Sequence, residues 1–325
     1  MKKPPAALSF DLDNLWSYLK TRGDMRWETF PTYLPVLIPQ VLEFLGRRGL
    51  RPTFFVVGQD AAREENVAPL SRLAGEGFEI GNHSFAHEPW IQNDPPGSLE
   101  EEIVAAEEAI SAATGKKPEG FRGPGFTWSS GLLEVLSRRG YRYDASLLPT
   151  FLGPLGRLYY FSRSALTSGE RKQRRQLFGT LDQGFYPVKP FHWLLPAGGE
   201  ILEIPVTTMP FLRTPFHLSY LLYLGGFAES LMTGYLRTVL AACRRTRVRP
   251  SFLLHPLDFL GPEDAPGLAF FPGMNIKKSR KLLLAGTALD ILSDNWELMP
   301  LGDFARWTET AGRLRRIRSG SRGKE

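Results

Sequence analysis

The chain has 325 residues, a length that suits one large α/β domain with insertions, or one domain with a small appendage. Hydrophobic residues make up 42 % of it, enough for a sizeable core, which excludes a disordered chain. The one cysteine, Cys243, excludes an intramolecular disulfide and a Cys-based zinc cluster, so any metal is left to histidines and carboxylates.

The formal charge of +6 is unevenly placed. Segment 157–175 carries Arg157, Arg163, Arg171, Lys172, Arg174 and Arg175 against Glu170. The tail 313–325 carries Arg313, Arg315, Arg316, Arg318, Arg322 and Lys324 against Glu325. Two basic patches suit anionic lipid or phosphate, or simply a solvated loop and a solubilising tail. A nucleic-acid partner is disfavoured, because the charge is confined and no recognition motif accompanies it. The N-terminus, MKKPPAALSFDLDN, has no apolar region of signal-peptide length, and no run of about 20 apolar residues occurs, so a cytoplasmic protein is expected.

In chain order, 6–12 reads as a buried strand ending in acids, 33–48 as a helix closed by Gly49, and 52–58 as a second buried strand. A helix over about 60–75 and a strand at 78–84 follow. Residues 98–113 read as a helix with Ser98 as N-cap and Glu101 as its capping-box partner. Then come a short strand running into a turn at 120–125, a helix at 129–139 and a strand at 141–148. From 149 to 200 the rhythm breaks into a long insertion rich in Gly, Pro, aromatics and Arg. Order returns with a strand at 201–210, a long helix at 217–245, a strand at 250–256, a helix at about 275–293, a short strand at 296–301 and a last helix. The alternation argues for parallel βα units, and about seven strands suit a (β/α) barrel, whose catalytic groups sit at the C-terminal strand ends. An open Rossmann-type sheet is the alternative, but no GxGxxG follows the first strand.

The polar residues of interest fall at those strand ends. His83 and His87, in NHSFAH, stand four apart; at helical spacing both imidazoles would share a face and reach one ion. Taken alone the pair also suits two surface or capping histidines. Asp11 and Asp13, in SFDLDN, are costly to place together unless a cation lies near. One can complete a His₂Asp site for zinc or another borderline divalent metal, and the other can act as general base. A helix cap and a solvated Asp would also fit. His255 ends the apolar strand SFLLHP, placed to donate a proton or to sit as a satisfied core histidine. His192 and His217 read as structural or surface residues, and Cys243 as core.

The order Asp-x-Asp, His-Ser-x-x-His, Arg-x-Pro (Arg122 in FRGPG) and Leu-x-His-Pro resembles the polysaccharide deacetylase family, also called the NodB-homology or carbohydrate esterase family 4 group. The resemblance covers about 6–148 and resumes at about 201–260. It implies a distorted (β/α)7 barrel and metal-dependent removal of an acetyl or formyl group from an amino sugar. By position, Asp13, His83 and His87 would hold a divalent metal, zinc being the first choice. Asp11 would be the base, with Arg122 keeping it ionised, and His255 the acid that protonates the leaving amine. Asp144, in YRYDAS, would orient that histidine. The spaced Asp11-Leu12-Asp13 is similar to a subgroup acting on peptidoglycan, allantoin-like or lipid-linked substrates. The segment Gly123-Pro124-Gly125-Phe126 departs from the family's usual third motif, where the backbone oxyanion donor lies.

The expected organisation is a single barrel domain over 1–310, with its insertion at about 149–200, and a basic tail at 311–325. Residues 209–243 are unusually apolar, and 218–228 carries no charge. This stretch is too short to span a bilayer but long enough to dip into an interface. With the basic patches, it suggests a lipid-linked sugar substrate and peripheral attachment to an anionic membrane, at the inner face of the cell membrane. Hydrolysis of another C–N bond, as in a cyclic amide, and an inactive carbohydrate-binding member remain as alternatives.

Overall fold

The computed structural model describes residues 3–162, 166–174 and 179–320. Arg163, Arg175, Arg322 and Lys324 of the two basic patches lie outside the described residues.

The elements run β1 (Pro5–Leu12), α1 (Leu15–Arg22), α2 (Leu34–Gly46), β2 (Thr53–Val56), α3 (Gly58–Ala61), α4 (Glu64–Gly75), β3 (Glu79–Asn82), α5 (Pro96–Thr114), β4 (Gly120–Phe121), α6 (Ser130–Arg138) and β5 (Tyr143–Asp144). The second half adds α7 (Gly153–Ser162), α8 (Ser168–Gln173), β6 (Phe191–Leu194), β7 (Glu200–Glu203), α9 (Leu218–Phe227), α10 (Glu229–Thr246), β8 (Ser251–Leu254), α11 (Lys278–Asn295), β9 (Glu297–Met299), α12 (Leu301–Thr310) and β10 (Arg315–Arg318).

Seven strands follow one another in the order β7-β5-β4-β3-β2-β1-β8, all parallel. The central strands β1, β2 and β8 are largely apolar runs, as strands buried on both faces require. The ladder is open between β7 and β8. The chain after β7 bridges that seam: the Thr207 main-chain N–H donates to the Ser251 carbonyl at 3.1 Å, and the Ser251 N–H to the Thr207 hydroxyl at 2.8 Å. The barrel is therefore distorted at one seam, as the family resemblance implies. Its interior packs Ala7, Phe55, Tyr143 and Leu202 against Leu301 and Phe304 of α12. The start of α12 is tied to the first residues of β2 and β3: the Leu301 N–H donates to Thr53 Oγ1 at 2.7 Å and the Gly302 N–H to Glu79 Oε2 at 2.8 Å. This helix thus closes the N-terminal end, leaving the C-terminal end for chemistry. Gly120 is required by that interior, because a Cβ there would lie 2.1 Å from the Tyr143 ring.

Several local expectations need correction. The helix at 98–113 begins at Pro96, with Ser98 inside its first turn, since a Pro with fixed φ already suits that position. The long helix at 217–245 is two helices, broken where Ala228 takes an extended conformation. The insertion at 149–200, expected only as a break in the rhythm, holds α7, α8, a short 3₁₀ helix at Leu181–Phe185 and β6. Part of the basic tail is a strand. β10 pairs in parallel with β6, Arg316 meets Glu200 at 2.9 Å, and Ile317 packs on the aromatic cluster of Trp193 and Phe191. An open strand edge and one apolar residue sufficed to order it.

Candidate metal centre and active site

Asp13, His83 and His87 converge at the C-terminal ends of β1 and β3. All three are buried, and one ligand atom from each lies within 4.8 Å of the others. Asp13 Oδ1 is 3.2 Å from His83 Nε2 and 3.0 Å from His87 Nε2. His83 Nδ1 donates to the Arg122 carbonyl at 2.6 Å, which fixes the tautomer and leaves the Nε2 lone pair facing Asp13. Two imidazoles and one carboxylate make a donor set suited to zinc and its neighbours. Burial alone would raise the Asp13 carboxyl, but His87 and His83 hold it well below its ordinary value. Burial also opposes charge on both imidazoles; Asp11 and Asp13 outweigh it at His83, which is raised, while at His87 Asp13 alone does not, and His87 is lowered.

The two histidines do not meet through a helix, as their spacing suggested. Residues 83–87 are a loop in which Ser84 (φ 62°) and His87 (φ 50°) are left-handed. Such backbone persists only where neighbours over-determine it. Here the Asn82 side-chain Oδ1 accepts from the Ser84 N–H at 2.8 Å, Ser84 Oγ accepts from the His87 N–H at 3.1 Å, and Glu102 Oε1 accepts from both Phe85 and Ala86 N–H. On the other side, Tyr33 donates its hydroxyl to the Asp13 carbonyl at 2.7 Å. The next residue, Asn14, caps α1 and donates to Asp60 Oδ1 at 2.7 Å and Thr32 Oγ1 at 2.8 Å.

Asp11 points into the barrel beside Arg122. The Arg122 Nη1 donates to Asp11 Oδ1 at 2.6 Å and to Ser9 Oγ at 2.8 Å, its Nε donates to the Ala145 carbonyl at 2.9 Å, and its plane lies 4.5 Å from the Phe55 ring centroid. Both side chains are buried, so the guanidinium is the counter-charge of this carboxylate and fixes its orientation. The free oxygen, Asp11 Oδ2, lies 3.9 Å from His255 Nε2.

His255 ends β8 and keeps 17 % of its side chain exposed, so the ring reaches the open end of the barrel. Its main-chain N–H donates to Asp258 Oδ2 at 2.8 Å, and its Nδ1 lies 3.3 Å from Ser219 Oγ, which also hydrogen-bonds Asp258. A serine giving its proton to Asp258 accepts from Nδ1–H and presents Nε2 to Asp11. Asp144 does not orient this histidine. It accepts from Ser146 Oγ at 2.5 Å and shares a hydrogen bond with Glu203, whose other partners are Trp193 Nε1 and the Leu147 N–H. Burial raises both carboxyls of that pair. It is a structural pair behind Arg122, and the orienting position belongs to Ser219 and Asp258.

Sequence reading missed Ser219 and Asp258, although Asp258 stands three residues past His255 in the same HPLD run. Of the two readings for His217, structural or surface, burial selects the structural one. That ring is buried, 5.6 Å from the His255 ring and 6.3 Å from Phe126, and burial with the charges of His255 and Arg122 pushes its pKa well below the ordinary value. It is a neutral imidazole in the site wall.

Residues 19–143 match the polysaccharide deacetylase family model. The match contains His83, His87 and Arg122; Asp11, Asp13 and His255 lie outside it and join them in space. A chitooligosaccharide deacetylase from Bradyrhizobium sp. (strain ANU 289) is 30 % identical over 107 residues, 33 % of this chain and 48 % of that protein. A peptidoglycan-N-acetylglucosamine deacetylase from Bacillus cereus is 30 % identical over 86 residues, 26 % of this chain and 30 % of that one. The chain thus spans half or less of the length of these relatives. A Mycobacterium smegmatis crystal structure, named as a candidate polysaccharide deacetylase, covers 100 % of this chain and 96 % of its own, with a TM-score of 0.62 and 17 % identity, and so shares the fold. Residues 19–143 are thus similar to the polysaccharide deacetylase family, and the whole chain shares the fold of the Mycobacterium smegmatis protein.

Proposed function

We propose that the chain is a metal-dependent amidohydrolase that removes an N-acyl group, acetyl or formyl, from an amino sugar. The observation that carries this reading is the placement of Asp11 between two groups: Arg122 on one carboxylate oxygen and His255, 3.9 Å away, on the other, at the mouth that also holds Asp13, His83 and His87. Asp13, His83 and His87 would hold a divalent ion of the zinc type, which would supply Lewis-acid polarisation of the amide carbonyl and acidify water. Asp11, oriented by Arg122, takes the proton from the attacking water. His255, steered by Ser219 and Asp258, gives a proton to the nitrogen, which then leaves as a neutral amine while the acyl carbon leaves as a carboxylic acid.

The finer substrate reading is an amino sugar carried on a polyprenyl phosphate and presented at an anionic membrane surface. It is supported by exposed apolar side chains on α7 and α9, among them Leu155, Leu158 and Phe227. No helix among the described residues is long and apolar enough to cross a membrane, so attachment would be peripheral. The test is mass spectrometry of N-acetylated and N-formylated sugars, free and lipid-linked, after incubation with wild type and Asp11→Asn. Amine release by wild type alone is expected. Equal release by the variant would sink the reading.

A further inference from the structure

A groove of about 830 Å³ lies beside the seam between the extension of β7 and β8, and none of the metal-centre, base or acid residues lines it. Its walls come from the insertion, the loop after β7, the end of α10, α12 and the lead-in to β10. Six cations line it: Lys189, Arg213, Arg247, Arg249, Arg313 and Arg315, with no carboxylate among the lining residues. Among the described residues none of the six forms an ion pair with Asp or Glu. Arg213 is half-buried, left-handed at φ 58°, and its Nη1 is buried without a hydrogen-bond partner. Partly buried guanidinium groups are ordinarily paired, because an unpaired buried charge is costly. The groove therefore gathers positive charge with no carboxylate of its own lining to pair it.

The rest of the lining is aromatic and apolar. Phe151 and Phe185 stack edge-on at 5.0 Å, and Trp307 lies beneath the Arg249 guanidinium at 5.6 Å. At the rim, Phe185 is 65 % and Phe211 80 % exposed, next to Leu212 at 65 %. A free phosphate would pair with the arginines but leave these side chains in water. Contiguous exposed apolar groups rimmed by cations fit the boundary between anionic headgroups and acyl chains.

We propose that this groove and its rim are a docking site for the anionic phospholipid of a bilayer, with the arginines on the headgroup phosphate and the phenylalanines in the acyl boundary. Docking does not need the metal centre, so vesicle binding and turnover of a soluble substrate are read separately.

The test is flotation of the full chain with phosphatidylcholine vesicles, with and without phosphatidylglycerol. The variants are Arg213→Gln/Arg247→Gln and Phe185→Ser/Phe211→Ser, checked for an unchanged thermal melt and unchanged turnover of a soluble N-acyl sugar. Wild type should float only with the anionic vesicles, less at high salt. The arginine pair should lose roughly thirtyfold in binding, and the phenylalanine pair should also bind more weakly. Overturning results are no flotation of wild type, equal flotation on pure phosphatidylcholine, variants that float like wild type, or tight binding of a single-stranded oligonucleotide without vesicle binding.

Discussion

Replacing Arg122 by Met tests the buried pair at the heart of the site. The substitution keeps the stem length and removes the charge, leaving Asp11 buried without a cation and the Ala145 carbonyl without its donor. Two unit charges about 4 Å apart at an effective dielectric near 20 interact by about 4 kcal/mol. Breaking one side of a buried pair costs about 3–5 kcal/mol, because the remaining charge is uncompensated. Arg122→Met should therefore lower the unfolding free energy by about 3–5 kcal/mol in urea titrations at neutral pH, with the slope unchanged. Asp11→Asn strands the guanidinium in turn, and the double variant leaves neither charge. Its loss should fall short of the sum of the singles by about 2–4 kcal/mol. Additive losses, or a cost under about 1 kcal/mol for Arg122→Met, would refute the idea that the two groups hold one another.

The other predictions concern the acid, a buried carboxyl and the barrel interior. His255→Gln should lower kcat by about 10²–10⁴-fold with the melt unchanged, and Asp258→Asn should lower it less while shifting the pH–rate profile; an unshifted profile would make Asp258 merely structural. Burial pushes the Asp60 carboxyl up to about 7 from 3.8, despite its hydrogen bonds to Asn14 and Trp16. The folded form thus holds that proton more tightly, and the stability it contributes is full below pH 3.8 and lost as pH rises through about 7. Over that window wild type should lose up to roughly 4 kcal/mol relative to Asp60→Asn, measured by denaturation at each pH; parallel curves would contradict it. Gly120→Ala drives a methyl into the buried Tyr143 ring and should cost roughly 1–3 kcal/mol, whereas a neutral result would mean that the strands can spread.

Much of this was legible because parallel βα units write themselves as apolar runs ended by glycine. The strand ends therefore located Asp11, Asp13, His83, His87, Arg122 and His255 before any coordinates. What stayed hidden depends on long-range partners. The His83–His87 loop is held by Asn82, Ser84 and Glu102, and no periodicity announces a left-handed backbone. Ser219 reaches His255 across 36 residues through the docking of α9, so Asp144, in a loosely matching motif, was taken for the orienting acid. The basic tail read as an anion-binding patch or a solubilising tail, because its charges hide that Ile317 packs where β10 pairs with β6. The break at Ala228 is invisible to hydropathy, since α9 and α10 are both apolar enough to read as one helix.

The most direct test of the central claim is the metal content of the purified chain by inductively coupled plasma mass spectrometry, for wild type and for Asp13→Ala, His83→Ala and His87→Ala. The account predicts one divalent ion per wild-type chain and its loss from each variant that keeps a native melt. A wild-type chain reconstituted with zinc that retains none, or folded variants that keep the full complement, would contradict it.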